Sequence, residues 1–431
     1  MHDVLDLRDI VSDEVEQLAL TGYDTSGLDE EVRAAVGNSD TARLLQLEEA
    51  LGKLERSPEW AYDEPDDEDS LRALTEHVTR MEVDLDQVRT RLLGAWQGRA
   101  VGNTLGKPIE GLTRAETERY LRAAGHWPLR GYLPLLDPLP EGVGELHPSA
   151  PVATEGNFTD VPRDDDIDWT MLNLHLLEEH GADLSTDHVA HAWLDRVPFT
   201  QTYTAERAAY RNLVHSIGVA ETATVRNPYR EWIGALIRGD VFGYVHPGDP
   251  GAAARAAFTD ARLTHRQNGI YGETWAAALC AAALAAEDIS EVLRAAAAVV
   301  PAHSRLAVVL REVDTLRNSG ADATEALDWV DRELGHYPWV HTLNNAALIA
   351  IGLTWGESFI DALGITLAGG RDTDSNGATV GSVYGALHGP GSIPEDLIGT
   401  THVHVRSAVR DFDRVSIEEL AERTFALVPR R

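Results

Sequence analysis

Apolar residues recur three and four positions apart along most of this chain, and period-two alternation is hardly visible. The segments TMLNLHLLEEHG (170–181), ETWAAALCAAALAAE (273–287), ISEVLRAAAAVVP (289–301), SRLAVVLREVDTLRNSG (304–320), TLNNAALIAIGLTWG (342–356) and SFIDALGITLAGG (358–370) each predict a helix, several closed by glycine. The Pro-rich stretch 127–151 predicts an irregular loop. Shorter patterns, LDEEVRAAVG (28–37) and TARLLQLEEALGKLE (41–55), predict a small helical N-terminal extension. The acidic, proline-containing run RSPEWAYDEPDDEDS (56–70) then reads as a linker. The expected architecture is all-α: an extension and linker over residues 1–70 and one compact multi-helix domain over 71–431.

Composition changes this picture only at its edges. A length of 431 residues allows a large core, and Cys280, the lone cysteine, excludes internal disulfides and cysteine-based zinc sites. No apolar run long enough to span a bilayer occurs. The first residues lack the basic and apolar regions of a secretory signal, so a cytoplasmic location is expected. A net charge of −33 argues against nucleic acid as a partner, because a phosphate backbone would be repelled over most of the surface. Residues 1–70 carry 21 acidic and 5 basic side chains, which marks the extension as a solvated appendage, a lid or a partner-binding segment.

Two stretches carry the candidate chemistry. Glycines recur every fourth residue at 94, 98, 102 and 106, and again at 377, 381, 385 and 389. Interior helix glycine costs up to about 1 kcal/mol relative to alanine, so such rows need a reason. Close approach of two backbones supplies one, and it would bring together the residues at the helix ends, Glu110 on one and Asp372 and Asp374 on the other. The second row opens like a calcium loop, with Asp372, Asp374, Asn376 and Gly377 in register, but Val383 stands where a bidentate Glu is required. A second cluster, Asp164, Asp165, Asp166 and Asp168, opens the helix beginning near Trp169. Helix capping could employ some of these carboxylates. Four within five residues repel one another unless water or a cation relieves them. Oxygen-only donors favour Mg²⁺, Mn²⁺ or Ca²⁺ over zinc. Templates for a P-loop, a Rossmann glycine turn and a G-x-S-x-G elbow all fail. His265 and His341, beside apolar helices, read first as structural histidines.

Taken in order, RLLGAWQGRAVGNTLGKPIEG, the Asp cluster, ARLTHRQNGIYGE, HTLNNAALIAIGL and GGRDTDSNGATVGSVYGALHG resemble the motifs of the ADP-ribosylglycohydrolases, of the dinitrogenase-reductase-activating type, over roughly residues 88–390. The resemblance implies a compact all-α domain holding two Mg²⁺ or Mn²⁺ ions between its Asp motifs. Carried over residue by residue, the implied ligands are Asp164, Asp165, Asp166, Asp372, Asp374 and Ser375. The implied catalytic carboxylates are Glu110 and Asp165. Tyr244, His265, Asn268 and Tyr271 are the implied substrate contacts. Asp164 and Ile167 replace the family's usual threonines, Ser375 stands where Thr is usual, and Arg371 intrudes before Asp372. The implied activity is metal-dependent hydrolysis of the ribosyl C1″ glycosidic bond, releasing ADP-ribose from a modified protein. Alternatives are a small N-ribosylated, NAD-derived substrate, or a non-catalytic member of the fold.

Overall fold

The computed structural model describes residues 5–429. Among them 20 α-helices account for most of the chain, and the two strands, His404–Val405 and Val415–Ser416, pair antiparallel. The all-α expectation holds, and the periodic segments fall on Asp165–His180, Asn268–Ala283, Ile289–Ala297, Arg305–Asn318, Thr342–Trp355 and Phe359–Ala368. The 127–151 stretch is a loop that closes on a single short 3₁₀ turn, Ala150–Ala153. No helix among the described residues is long and apolar enough to cross a membrane.

The glycine rows explain the middle of the molecule. Helices Leu85–Gly106 and Thr373–His388 lie antiparallel, with Gly94 against Gly385, Gly98 against Gly381 and Gly102 against Gly377. A methyl group added at any of these positions would fall within 3 Å of the facing carbonyl. The helices therefore touch backbone to backbone, and no side chain separates them. At the end of the row Gly106 faces Thr373, whose hydroxyl donates to the Gly106 carbonyl at 2.8 Å. That hydrogen bond ties the end of one glycine helix to the start of the other. Beside them runs Asn268–Ala283, buried at every residue, whose alanines allow neighbouring helices close on all sides.

Past the glycine contacts, the chain segments 109–112 and 369–372 exchange backbone hydrogen bonds. The amide of Gly111 donates to Arg371 O at 2.9 Å, and that of Arg371 to Leu112 O at 2.8 Å. Arg371 sits at φ 67°, the left-handed region that a non-glycine residue seldom adopts, and this reciprocal pair holds it there. Its guanidinium turns outward to Asp331 Oδ1 at 2.8 Å. The turn, not the arginine side chain, is what positions Asp372.

The N-terminal helices Leu7–Leu20, Leu28–Gly37 and Thr41–Leu51 share a small core of their own, built on Val11, Val15, Leu18, Val32, Leu44, Leu47 and Leu51. So few apolar side chains are a thin core for a segment of this length, and docking onto the larger body adds to it. Docking is partly apolar, with Leu5 and Ile10 packed against Ala205, Ala208 and Tyr229, and partly polar and buried. The Glu64 carboxylate, from the run read as a linker, accepts from Arg305 Nε and Nη2, both at 2.9 Å, and from Asn268 Nδ2 at 2.7 Å. On the same knot Arg305 and Asn268 also donate to Glu231, as does Gln17 at 2.8 Å.

Candidate active site

Three chain segments converge at the end of the glycine pair. Asp165–His180 begins there, with Asp164 as its N-cap accepting from the Asp166 amide at 3.1 Å. Lys107–Ile109, a 3₁₀ turn, extends the first glycine helix to Glu110. Asp372 and Asp374 open the second. The two acidic clusters differ in one respect: Asp164 caps its helix, whereas Asp372 stands at the cap position and makes no side-chain cap bond. Capping alone therefore does not account for the second cluster.

Together these residues line an open cleft of about 700 Å³, continuous with solvent. Its floor holds Glu110, Asp164, Asp165, Asp166, Asp372, Asp374 and Ser375, which are all the implied metal ligands and both implied catalytic carboxylates. Its walls add Lys107, His147, Arg163, Tyr203, Trp232 and Trp339. All the floor residues except Asp165, which is partly exposed, are buried.

Their bonds are unevenly distributed. The Lys107 ammonium lies 2.7 Å from Glu110 Oε2, 2.7 Å from Asp164 Oδ2 and 2.7 Å from Asp374 Oδ2. Asn103 donates to Asp166 Oδ2 at 3.1 Å. Asp166 Oδ1 and Asp374 Oδ1 are buried and have no hydrogen-bond partner, and Glu110 Oε2 has only its ion pair with Lys107. Buried carboxylate oxygens without partners are costly, so they mark places where a charged ligand is wanted. Arg163 is engaged elsewhere, with Asp168 Oδ2 at 2.7 Å, and Ser407 Oγ fixes the other oxygen of Asp168 at 2.6 Å.

Electrostatics follow from that crowding. Burial first, then the Asp374 charge, push the Glu110 carboxyl up to about 8, although Lys107 opposes them. Asp165 is pushed up to about 7 by burial and by Asp164. Asp166 and Asp372 rise well above the usual carboxylate range, again through burial and then neighbouring aspartates. Asp164 goes the other way, because Lys107 and the hydrogen bond from Asp166 outweigh its burial. Lys107 itself is held well above its ordinary value, its burial being overcome by Asp164, Asp374 and Glu110.

These donors fit a hard cation. Glu110, Asp372 and Asp374 can offer three oxygens within 4.8 Å of one another, and so can Asp164, Asp166 and Asp374. Oxygen-only donors of this kind suit Mg²⁺, Mn²⁺ or Ca²⁺. Asp166 Oδ1 belongs to the second of these triads, and Asp374 Oδ1 to both.

The four implied substrate contacts do not reach the cleft. Tyr244 is buried and its hydroxyl meets Ser382 Oγ at 2.6 Å. His265 is buried beside Thr264, with Nδ1 2.6 Å from its hydroxyl. Asn268 belongs to the Glu64–Arg305 knot, and the Tyr271 hydroxyl donates to Pro65 O at 2.5 Å. Packing and docking of the N-terminal segment occupy all four. The residues that do line the walls went unnoticed in the sequence. Lys107 lay inside a quoted motif, and its charge amid so many acids was the available signal. His147, 3.2 Å from Glu110 Oε2, sits in the loop read only as irregular.

An all-helical domain with a buried, oxygen-only donor set at one end of a glycine-helix pair defines the class. The ADP-ribosylglycohydrolase family profile matches residues 84–431, past the end of the motifs read from sequence, and the chain belongs to that family. A solved structure described as an ADP-ribosylglycohydrolase-related protein complex is similar at 19% identity and a TM-score of 0.46, covering 79% of this chain and 98% of that one. A search of curated proteins returned no match.

Proposed function

We propose that the protein is a metal-dependent hydrolase that cleaves the ribosyl C1″ glycosidic bond of an ADP-ribosylated substrate, releasing ADP-ribose. The observation that carries this reading is the cleft itself: buried, partnerless carboxylate oxygens on residues that line an open space, in a chain of this family. Asp164, Asp166, Asp372, Asp374 and Ser375 would hold the cation, of which Mg²⁺ and Mn²⁺ are the candidates. A hard cation there supplies charge for orienting ribose hydroxyls and acidifying water.

The chain's own side chains divide the remaining work. Glycosidic cleavage passes through an oxocarbenium-like state and needs one group to protonate the leaving atom and another to act on the opposite side. Glu110, its carboxyl raised by burial and by the Asp374 charge, is the group on the cleft floor suited to carry a proton to the leaving nitrogen or oxygen. Asp165, partly exposed and near 7, is poised to take a proton from water. Tyr203, Trp232 and Trp339 offer flat apolar faces on which a purine or ribose can lie. Arg163, held by Asp168 through Nε and by Gln201 O through Nη2, keeps Nη1 as the guanidinium nitrogen on the cleft wall that a diphosphate would meet.

The test is to incubate the purified protein with ADP-ribosylated arginine, ADP-ribosylated serine and NAD-derived ribosyl compounds, with and without Mg²⁺, and to measure freed ADP-ribose. Metal-dependent release from any of them supports the reading, and the substrate that reacts identifies the leaving group. No release from all of them, with metal present, would contradict it.

A further inference from the structure

Among the described residues, none of the N-terminal extension lines the cleft. Its helix Leu7–Leu20 instead grips the chain segment that ends on the cleft wall. Asp13 Oδ2 accepts from the Tyr229 hydroxyl at 2.7 Å. The Glu14 carboxylate takes both Nη atoms of Arg230, at 2.7 and 3.0 Å, and Gln17 Nε2 donates to Glu231 Oε2 at 2.8 Å. Farther along the extension, Glu48 accepts from Arg226 Nε at 2.6 Å and Nη2 at 2.9 Å. Three consecutive residues, 229–231, are thus held by one helix, and the next residue is Trp232, which lines the cleft.

Trp232 is also touched directly. Its ring centroid lies 4.7 Å from that of Tyr229, with the planes at 62°. It packs on the small apolar cluster that Leu5 and Ile10 form with Ala205, Ala208 and Tyr229. Ala205 belongs to helix Thr204–Val214, and Tyr203 and Thr204, at the start of that helix, line the same cleft. On its other side, segment 231–233 pairs with 340–342. The Ile233 amide donates to Val340 O at 2.8 Å and the Thr342 amide to Glu231 O at 3.1 Å. Trp339 and Val340 line the cleft as well. The carboxylate floor therefore stands on the glycine helices, whereas the aromatic wall is backed by the extension.

We propose that the N-terminal extension is a working part of the substrate site, with Asp13, Glu14 and Gln17 as positioning residues that fix Trp232 on the cleft wall. That the wall receives ADP-ribose rests on the proposed hydrolase activity; that the extension fixes the wall does not. The family profile begins at residue 84, so this support comes from chain that the profile does not describe. Loss of these contacts loosens Trp232 and weakens binding of the flat part of a ligand lying against it, and it leaves the carboxylate floor in place.

Fluorine NMR of the full chain labelled with fluorotryptophan tests this, the Trp232 signal being identified by its loss in Trp232→Phe. In the double variant Asp13→Ala, Glu14→Ala that signal should shift or broaden. ADP-ribose, titrated by calorimetry with Mg²⁺ present, should bind about tenfold more weakly, while the affinity for Mn²⁺ stays that of wild type. Asp13→Asn, which keeps an acceptor for the Tyr229 hydroxyl, should keep the wild-type signal. An unmoved Trp232 signal in the double variant would overturn the positioning role. A moved signal with unchanged ADP-ribose affinity would overturn the link to substrate. Failure of wild type to bind ADP-ribose would contradict the proposed activity, and the Trp232 signal still decides the positioning. Glu14→Ala alone, at a partly exposed residue, gives the same readings where the double variant does not fold.

Discussion

Around Arg305, two buried carboxylates share one guanidinium; in the cleft, Glu110 and five aspartates gather round a single ammonium that contacts three of them. The Arg305 knot satisfies every oxygen of Glu64 and Glu231, through Arg305, Asn268, Gln17 and backbone amides. Lys107 leaves oxygens of Asp166 and Asp374 bare, beside an open space. The difference separates buried charge that holds a fold together from buried charge that waits for a ligand. A third cluster, around Arg238, falls between the two. Burial and Asp260 drive the Glu273 carboxyl well above its usual range there, with Arg238 3.7 Å away.

If that distinction is right, the knot should fail in stability and the cleft in activity. Removing Glu64 from the knot carries the largest expected effect. Glu64→Ala strips Arg305 of its bidentate partner, and breaking one side of a buried pair costs about 3–5 kcal/mol. Denaturant melts should show that loss, while turnover per folded molecule changes little. Unchanged stability would mean that the N-terminal segment docks without this contact.

Next is Gly102→Ala, which places a methyl group on the Gly377 carbonyl. Neither backbone can retreat without moving its helix, and overpacking of this kind costs roughly 1–3 kcal/mol or more. Because the same helices deliver Glu110 and Asp374 to the cleft, activity per folded molecule should fall too. A variant as stable as wild type would show that the helices are not in backbone contact.

The smallest effect concerns two buried histidines outside the cleft. Burial pushes His341 and His402 down to about 3. A histidine whose folded value is depressed contributes stability that is complete above about pH 6.5 and is lost as pH falls toward the folded value. Ring shifts measured by NMR should therefore remain those of neutral imidazole at pH 5. Protonated rings at that pH would contradict their burial.

Much of this was legible beforehand, for reasons particular residues make plain. Helix periodicity survives in sequence because most helices bury one face, and the observed helices start and stop close to the patterned segments. The glycine rows were readable because so costly a choice has few explanations. Both acidic clusters were readable because like charges packed that densely are seldom idle. What sequence could not supply was the destination of isolated polar residues. Asn268 and Tyr271 stand inside a family motif, yet they bind Glu64 and Pro65 of a segment some 200 residues earlier. The role of Glu64 was hidden in a run of acids whose other members are mostly at the surface. Lys107 could be seen but not placed, since its meaning depends on Asp164 and Asp374, from distant parts of the chain, as well as on nearby Glu110.

The central claim is that the bare oxygens of the cleft exist for a catalytic cation, and Asp374→Asn tests it most directly. Asparagine keeps the size of the side chain and much of its capping ability, so a merely structural Asp374 would tolerate the change. Asp183→Asn, on an exposed turn, is the control and should be silent. The measurement is the initial rate of ADP-ribose release with saturating Mg²⁺, beside a melting curve of the same preparation. The account predicts a cooperative melt near that of wild type and a rate lower by roughly a hundredfold or more, partly restored by excess metal. A near-normal rate at low metal would contradict it.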